Sequence, residues 1–278
     1  MPTADFNLDI FYMNTKRKPD PLSKKQAGLS AQQAVRNFNP DVIITADDNA
    51  QTYVAKAFIG VNRPKVVFCG VNADPLLYGF PASNVTGIVE RPHFVQSFQM
   101  LQIIDPGART IAVITDDSTT SDQLIKDLKT KSLPLAVKSI DQPATFMEWQ
   151  QCIQRYQHTV DAICIIVYHT IKITIDSTSI MLPEKVMAWT VDHNTKPLFS
   201  VAPFGVEEGA LFGIVNSGHE QGLTAAKITR QLLSGIKAED IPVVYPEKGA
   251  VYLNIKTADK MGFDIPFHII QSTDKIID

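Results

Sequence analysis

Val42-Ile-Ile-Thr-Ala-Asp47-Asp48-Asn49 is an apolar run that breaks into an acidic pair and a small polar residue. Apolar on both faces, it reads as a parallel strand covered by helices on either side, not as a strand with one wet face. The same pattern returns at Ile111-Ala-Val-Ile-Thr-Asp116-Asp117-Ser118, again ahead of a helical segment. Outward from these two stretches, short apolar runs alternate with amphipathic ones almost from end to end. Strands are predicted at Leu8–Met13, Asp41–Thr45, Lys65–Gly70, Thr110–Thr115, Leu135–Ser139, Ala162–Val167 and Pro197–Val201. Helices are predicted at Pro92–Ile104, with Phe94, Phe98 and Leu101 on one face, and at Gly222–Leu233, stopped by Ser234-Gly235. This order predicts a doubly wound α/β fold, and the echo fits two similar lobes.

The bulk properties agree. The chain has 278 residues, 45% hydrophobic and 20% charged, enough for full cores in one large or two ordinary domains. Net charge is -3 with both signs dispersed, so nothing marks a nucleic-acid partner. The short basic run Lys16-Arg17-Lys18 reads as a solvated strand end. Cys69, Cys152 and Cys164 form no CxxC pair, and Cys69 and Cys164 lie inside apolar runs as inert thiols. No stretch approaches a membrane span, and Met1-Pro2-Thr3-Ala4-Asp5 lacks the start of a signal peptide. Chain crossings between lobes are expected at Pro81–Glu90, at Pro203–Ala210 and near Tyr245–Gly249.

Candidate chemistry gathers after the strands. Asp47-Asp48 and Asp116-Asp117 stand where open α/β sheets bind ligands, and where a carboxylate can also cap a helix. Capping, contact with a ligand ammonium, and a metal or phosphoacceptor role all remain open there. Gly70-Val-Asn72-Ala-Asp74-Pro75 is either a ligand-approached loop or an ordinary Asx turn. Tyr168-His169-Thr170 follows the most apolar strand; its His reads as a cleft wall, an interior His or a catalyst. There is no GxSxG elbow, P-loop or GxGxxG, and no cofactor is expected. Trp149 and Trp189 read as packing residues, and Asn84-Val-Thr86 is rejected as a glycosylation site. Loops rich in small polar groups without catalytic motifs describe a site that holds rather than reacts.

Several segments together resemble the substrate-binding proteins of a family of ABC transporters, with the periplasmic-binding-protein type I fold. They are Phe11–Arg17, Pro40–Ala50, Phe68–Asn72, Asn84-Val-Thr-Gly87, Glu208–Gly213 with Gln221-Gly222, and Tyr252–Ala258 followed by Ile265-Pro266. The resemblance implies an α/β fold of two Rossmann-like lobes with parallel sheets, joined by about three crossings, with a ligand cleft between them. Residues 1–88 with about 212–246 would form lobe 1, and 89–211 with about 247–278 lobe 2. It implies a non-enzymatic, extracytoplasmic importer component that closes on a small polar, amino-acid-like ligand and docks on a membrane permease. A ligand-sensing module and a flavodoxin-like enzyme are the rival readings. The implied ligand set is Asp47, Asp48, Asn49, Asn72, Thr86, Asp116, Ser118, Tyr168, His169 and Phe204. Family members carry a secretion signal and a strand–helix unit ahead of the Phe-Tyr-Met segment, and this sequence starts just before that segment. A lobe 1 lacking that strand is expected to expose an apolar sheet edge, leaving it poorly stable or paired with another chain.

Overall fold

The computed structural model describes residues 6–15, 18, 20–177, 179–246 and 248–278. Met1–Asp5 and Lys16-Arg17 of the basic run lie outside the described residues. In chain order the strands are β1 (Val42–Ala46), β2 (Lys65–Val71), β3 (Val85–Val89), β4 (Thr110–Ile114), β5 (Ala136–Asp141), β6 (Ala162–Ile165), β7 (Leu198–Ser200), β8 (Phe212–Val215), β9 (Ala250–Asn254) and β10 (Lys275–Ile277). The helices are α1 (Pro21–Phe38), α2 (Asp48–Tyr53), α3 (Phe94–Ile104), α4 (Thr119–Lys129), α5 (Phe146–Thr159), α6 (Pro183–Asp192), α7 (Pro203–Glu207), α8 (Gly218–Leu233), α9 (Ile255–Met261) and α10 (Phe267–Gln271). The chain divides into two compact units, Met1–Glu90 with Gly218–Pro246 and Arg91–Ser217 with Glu247–Asp278, and passes between them three times.

The first unit is built on a parallel sheet in the order β1-β2-β3. Alternation along β2 divides its core in two. Val66 and Phe68 pack with Ala31, Val54 and Phe58 from the α1–α2 side. Val67 and Cys69 pack with Ala225, Ile228 and Leu232 of α8. Both faces are therefore covered, as the apolar runs require. Helix α8 starts four residues before the expected Gly222 and ends as expected, with Ile236 N–H donating to the Gln231 carbonyl across Gly235.

Two expectations for this unit are corrected. Pro81–Glu90 is not itself a crossing but runs up to one: Val85–Val89 within it is a buried strand paired with β2, and the chain leaves the first unit after Glu90. Leu8–Met13 forms no strand, and Phe6, Leu8, Ile10, Phe11 and Tyr12 stand exposed. A run of β-forming residues becomes a strand only when a neighbouring strand takes up its backbone groups.

The second unit carries a sheet in the order β10-β9-β8-β7-β6-β4-β5, parallel except at β8–β9. Along β4, Ile111 and Val113 face one core with α3, while Ala112 and Ile114 face the other with Trp149, Ile153 and Tyr156 of α5. Both tryptophans pack there, as expected. Pro203–Ala210 is not a crossing either; it holds α7 and a turn inside this unit, and β8 follows it in the same sheet. All three cysteines are buried thiols.

Candidate functional site

In the first unit, the strands deliver Asp47, Gly70, Asn72 and Glu90 to their carboxyl ends. Gly70 has φ +62, and a Cβ there would lie 3.7 Å from Asp47 Oδ1 and 3.9 Å from Glu90 Oε2. The bare glycine thus leaves the two carboxylates facing one small space. Gln221 of α8 secures this bend by accepting from Gly70 N–H at 2.9 Å and donating to the Val89 carbonyl at 3.0 Å. Asn72 Nδ2 donates to Glu90 Oε2 at 3.3 Å. Burial, and then the charges of Asp47 and Glu90, push the Cys69 thiol up to about 11.

Asp47 holds φ +68 and ψ 155, a backbone region suited to glycine. Its side chain does not cap α2, so the capping expectation fails here. Asp48 is structural: its carboxylate accepts from Asn72 N–H and Ala73 N–H, both at 3.2 Å, and from Tyr78 Oη–H at 2.7 Å. Asn49 donates to Thr15 Oγ1 at 3.1 Å. Thr86 is fully buried and donates to the Ile241 carbonyl at 2.8 Å, which removes it from any ligand surface. We expect Asp47→Gly to raise the stability by about 1 kcal/mol while weakening ligand binding. Thermal denaturation and titration calorimetry on the same sample check both signs.

In the second unit, Asp116 is buried and accepts from Ser118 Oγ at 2.7 Å, Ser121 Oγ at 2.6 Å and Thr170 N–H at 2.9 Å. It ties the end of β4 to the loop after β6, and Ser118, not a carboxylate, caps α4. Asp117 is left on the exposed side of this turn. Tyr168 is also fully buried, among Trp149 and its neighbours, and donates to Glu208 Oε2 at 2.9 Å. Burial, with Glu208 beside it, holds its phenol well above the usual range. Its ring instead supports two half-buried ones: His169 lies 5.1 Å from Tyr168, and Phe204 lies 4.5 Å from His169, edge to face. Of the expected ligand residues in this unit, His169, Phe204 and Ser118 keep access; Asp116 and Tyr168 position them.

A family model described as ABC transporter substrate binding protein matches residues 8–277. The chain belongs to that family. The fold is shared with a domain from Streptococcus pneumonia solved in complex with L-Trp (21% identity, 91% of this chain and 84% of that one, TM-score 0.61). It is shared too with a substrate binding protein with adhesive properties from Clostridium difficile in its ligand-free, open structure (17%, 92% and 84%, 0.72). A conserved domain protein from Vibrio cholerae is a third (18%, 92% and 84%, 0.58). Comparison with curated proteins gives no match.

The Asn84-Val-Thr-Gly87 motif of this substrate-binding family member is scaffold, not site. Asn84 Nδ2 donates to the Phe58 and Pro64 carbonyls, and its Oδ1 accepts from Gly60 N–H. Thr86 straps the 241 segment, and Gly87 gives room to Phe68. Glu90, Gln221 and Glu208 were missed as site or positioning residues. The Gln221-Gly222 and Glu208-Gly pairs within the family segments were the only signals for the last two.

Proposed function

We propose that this chain is the substrate-binding component of an ABC importer, working outside the cytoplasm and without catalysing a reaction. Its ligand is an amino-acid-like molecule with an apolar or aromatic side chain. The observation that carries this reading is the chemistry of the strand ends. The first unit offers the carboxylates of Asp47 and Glu90 with the amide of Asn72, groups that suit an ammonium and its neighbouring polar atoms. The second offers the half-buried pair His169 and Phe204, an aromatic edge and face that suit a ring. An aromatic amino acid carries both chemistries, and the Streptococcus relative was solved with L-Trp. Binding selects a closed state over an open one, and the closed state docks on the permease.

A thermal-shift screen of amino acids and small organic acids tests this. One compound, an amine with an apolar side chain, raises the melting temperature and is recovered unchanged. Chemical conversion of that compound would show an enzyme instead. Phe204→Ala then weakens the affinity for it by roughly tenfold, read by calorimetry, because a stacking partner is lost. The half-exposed position keeps the loss of fold stability small.

A further inference from the structure

The chain passes between the units after Glu90, after Ser217 and after Pro246. The second-unit residues next to these three passages meet at His93. A Cβ on Gly249 would lie 2.5 Å from His93 Cδ2 and 2.6 Å from Ile214 Cγ2, so the bare glycine rests directly on the imidazole and on β8. His93 precedes α3 without capping it. Its carbonyl accepts from Ser97 N–H at 2.9 Å, and Ser97 Oγ accepts from Ile214 N–H at 3.4 Å. The antiparallel register of β8 and β9, carried one step past Val215 and Ala250, sets Asn216 opposite Gly249. His93 is 3% exposed, and its Nε2 has no hydrogen-bond partner. Asn216 Oδ1 is likewise buried without one, and the third such atom among the described residues, Asp127 Oδ2, stands apart on α4. A phenyl or aliphatic side chain would fill this place without stranding a nitrogen.

We propose that His93 is a proton-sensitive pin at the root of the crossings: neutral it locks the three together, and protonated it frees them, so that acidification favours the open state and releases ligand. The charged ring carries an N–H at both nitrogens and needs an acceptor at Nε2, which only a rearranged junction supplies, from water or from Asn216 Oδ1. No charged neighbour among the described residues offsets this. Helix α3 and β8 carry none, and the one titratable group of β9, Tyr252, stands against Lys275. Glu90 and Arg91 before His93, and Lys248 before Gly249, leave burial as the only influence on the imidazole, which it pushes down. The loosened junction, with water at the ring, binds the proton more readily than the packed one. Locking is therefore complete above the ordinary imidazole value of about 6.5 and is lost as pH falls from there through the lower value of the packed ring. Loosening rests on the junction alone; release of ligand rests also on the proposed function.

Amide exchange and calorimetry on the wild type, His93→Gln and His93→Phe test this between about pH 7.5 and about pH 5, since neither replacement takes the proton. In the wild type, protection of amides 214–217 and 249–251, corrected for intrinsic rates, falls about tenfold on acidification while that of β4 and β6 holds. Affinity for the compound found by thermal shift falls by a similar factor. In both variants protection at these amides stays constant over the range, and the difference in affinity profile between wild type and variant separates His93 from His169 of the site. Proton NMR of the wild-type ring needs no variant to fold: its protonation coincides with the loss of protection. Protection that falls equally in the variants, or a ring that protonates without change in those amides, overturns the proposal. So does an affinity whose pH dependence is the same with and without His93. If no compound binds at any pH, the proposed function fails, and the exchange result still decides the role of His93.

Discussion

Gly87→Ala unfolds the first unit and leaves the second standing. A Cβ at Gly87 would run into the Phe68 carbonyl oxygen and lie 2.6 Å from its ring. Neither can retreat: the carbonyl belongs to β2, and the Phe68 ring is fully buried and stacked on Phe80 at 5.3 Å. Overpacking of this kind costs about 3 kcal/mol or more. The sheet around it has only β1, β2 and β3 to share the strain. The second unit keeps its own two-sided core on β4 and β6. Calorimetric melting of the variant shows an early transition lost or shifted sharply down, with the later one unchanged. A single unshifted transition would mean that β2 and β3 do not approach as described.

Asp48→Ala gives the second large effect. Three donors converge on this carboxylate from 24 to 30 residues away: Asn72 N–H, Ala73 N–H and Tyr78 Oη–H. Burial, and then the bond to Asp48, hold the Tyr78 phenol above its usual range, so it stays a donor throughout the working pH range. Alanine removes a charged acceptor and strands donors in a half-buried loop, at a cost of about 3 kcal/mol. The loop also carries Asn72, so under the proposed function ligand binding falls with it. Asp48→Asn keeps acceptor capacity at one oxygen and lies between the two. Denaturant titration orders the three proteins as wild type, asparagine, alanine; equal midpoints would remove Asp48 from the loop's support.

What could be read from the residues divides along a physical line. Strands buried on both faces announced themselves: β2, β4 and β6 are nearly continuous apolar runs whose composition calls for coverage by helices, and β1 was legible in the same way although Ile44 and Ala46 stay exposed on one face. Strand β3 did not, because Thr86 and Gly87 resemble turn chemistry when their real reasons are a strap to Ile241 and the closeness of Phe68. Strand β8 was hidden by its length of four residues and by Gly213. Leu8–Met13 was the converse, β-forming in composition and with no strand partner among the described residues. The candidate site followed the same division. That ligand chemistry stands after strands is a property of the fold class and was legible. Which of two adjacent carboxylates faces outward was not, since the donors that claim Asp48, and the Thr170 N–H that joins two nearby serines on Asp116, come from distant loops.

Binding without turnover is tested by retention of the screened ligand on the purified chain. Equilibrium dialysis with the labelled compound, followed by chromatography of what is bound, measures both occupancy and chemical fate. A substrate-binding protein saturates at one ligand per chain, with the compound recovered unaltered and occupancy reduced by Phe204→Ala. Absence of saturable retention, or recovery of a chemically changed compound, would contradict it.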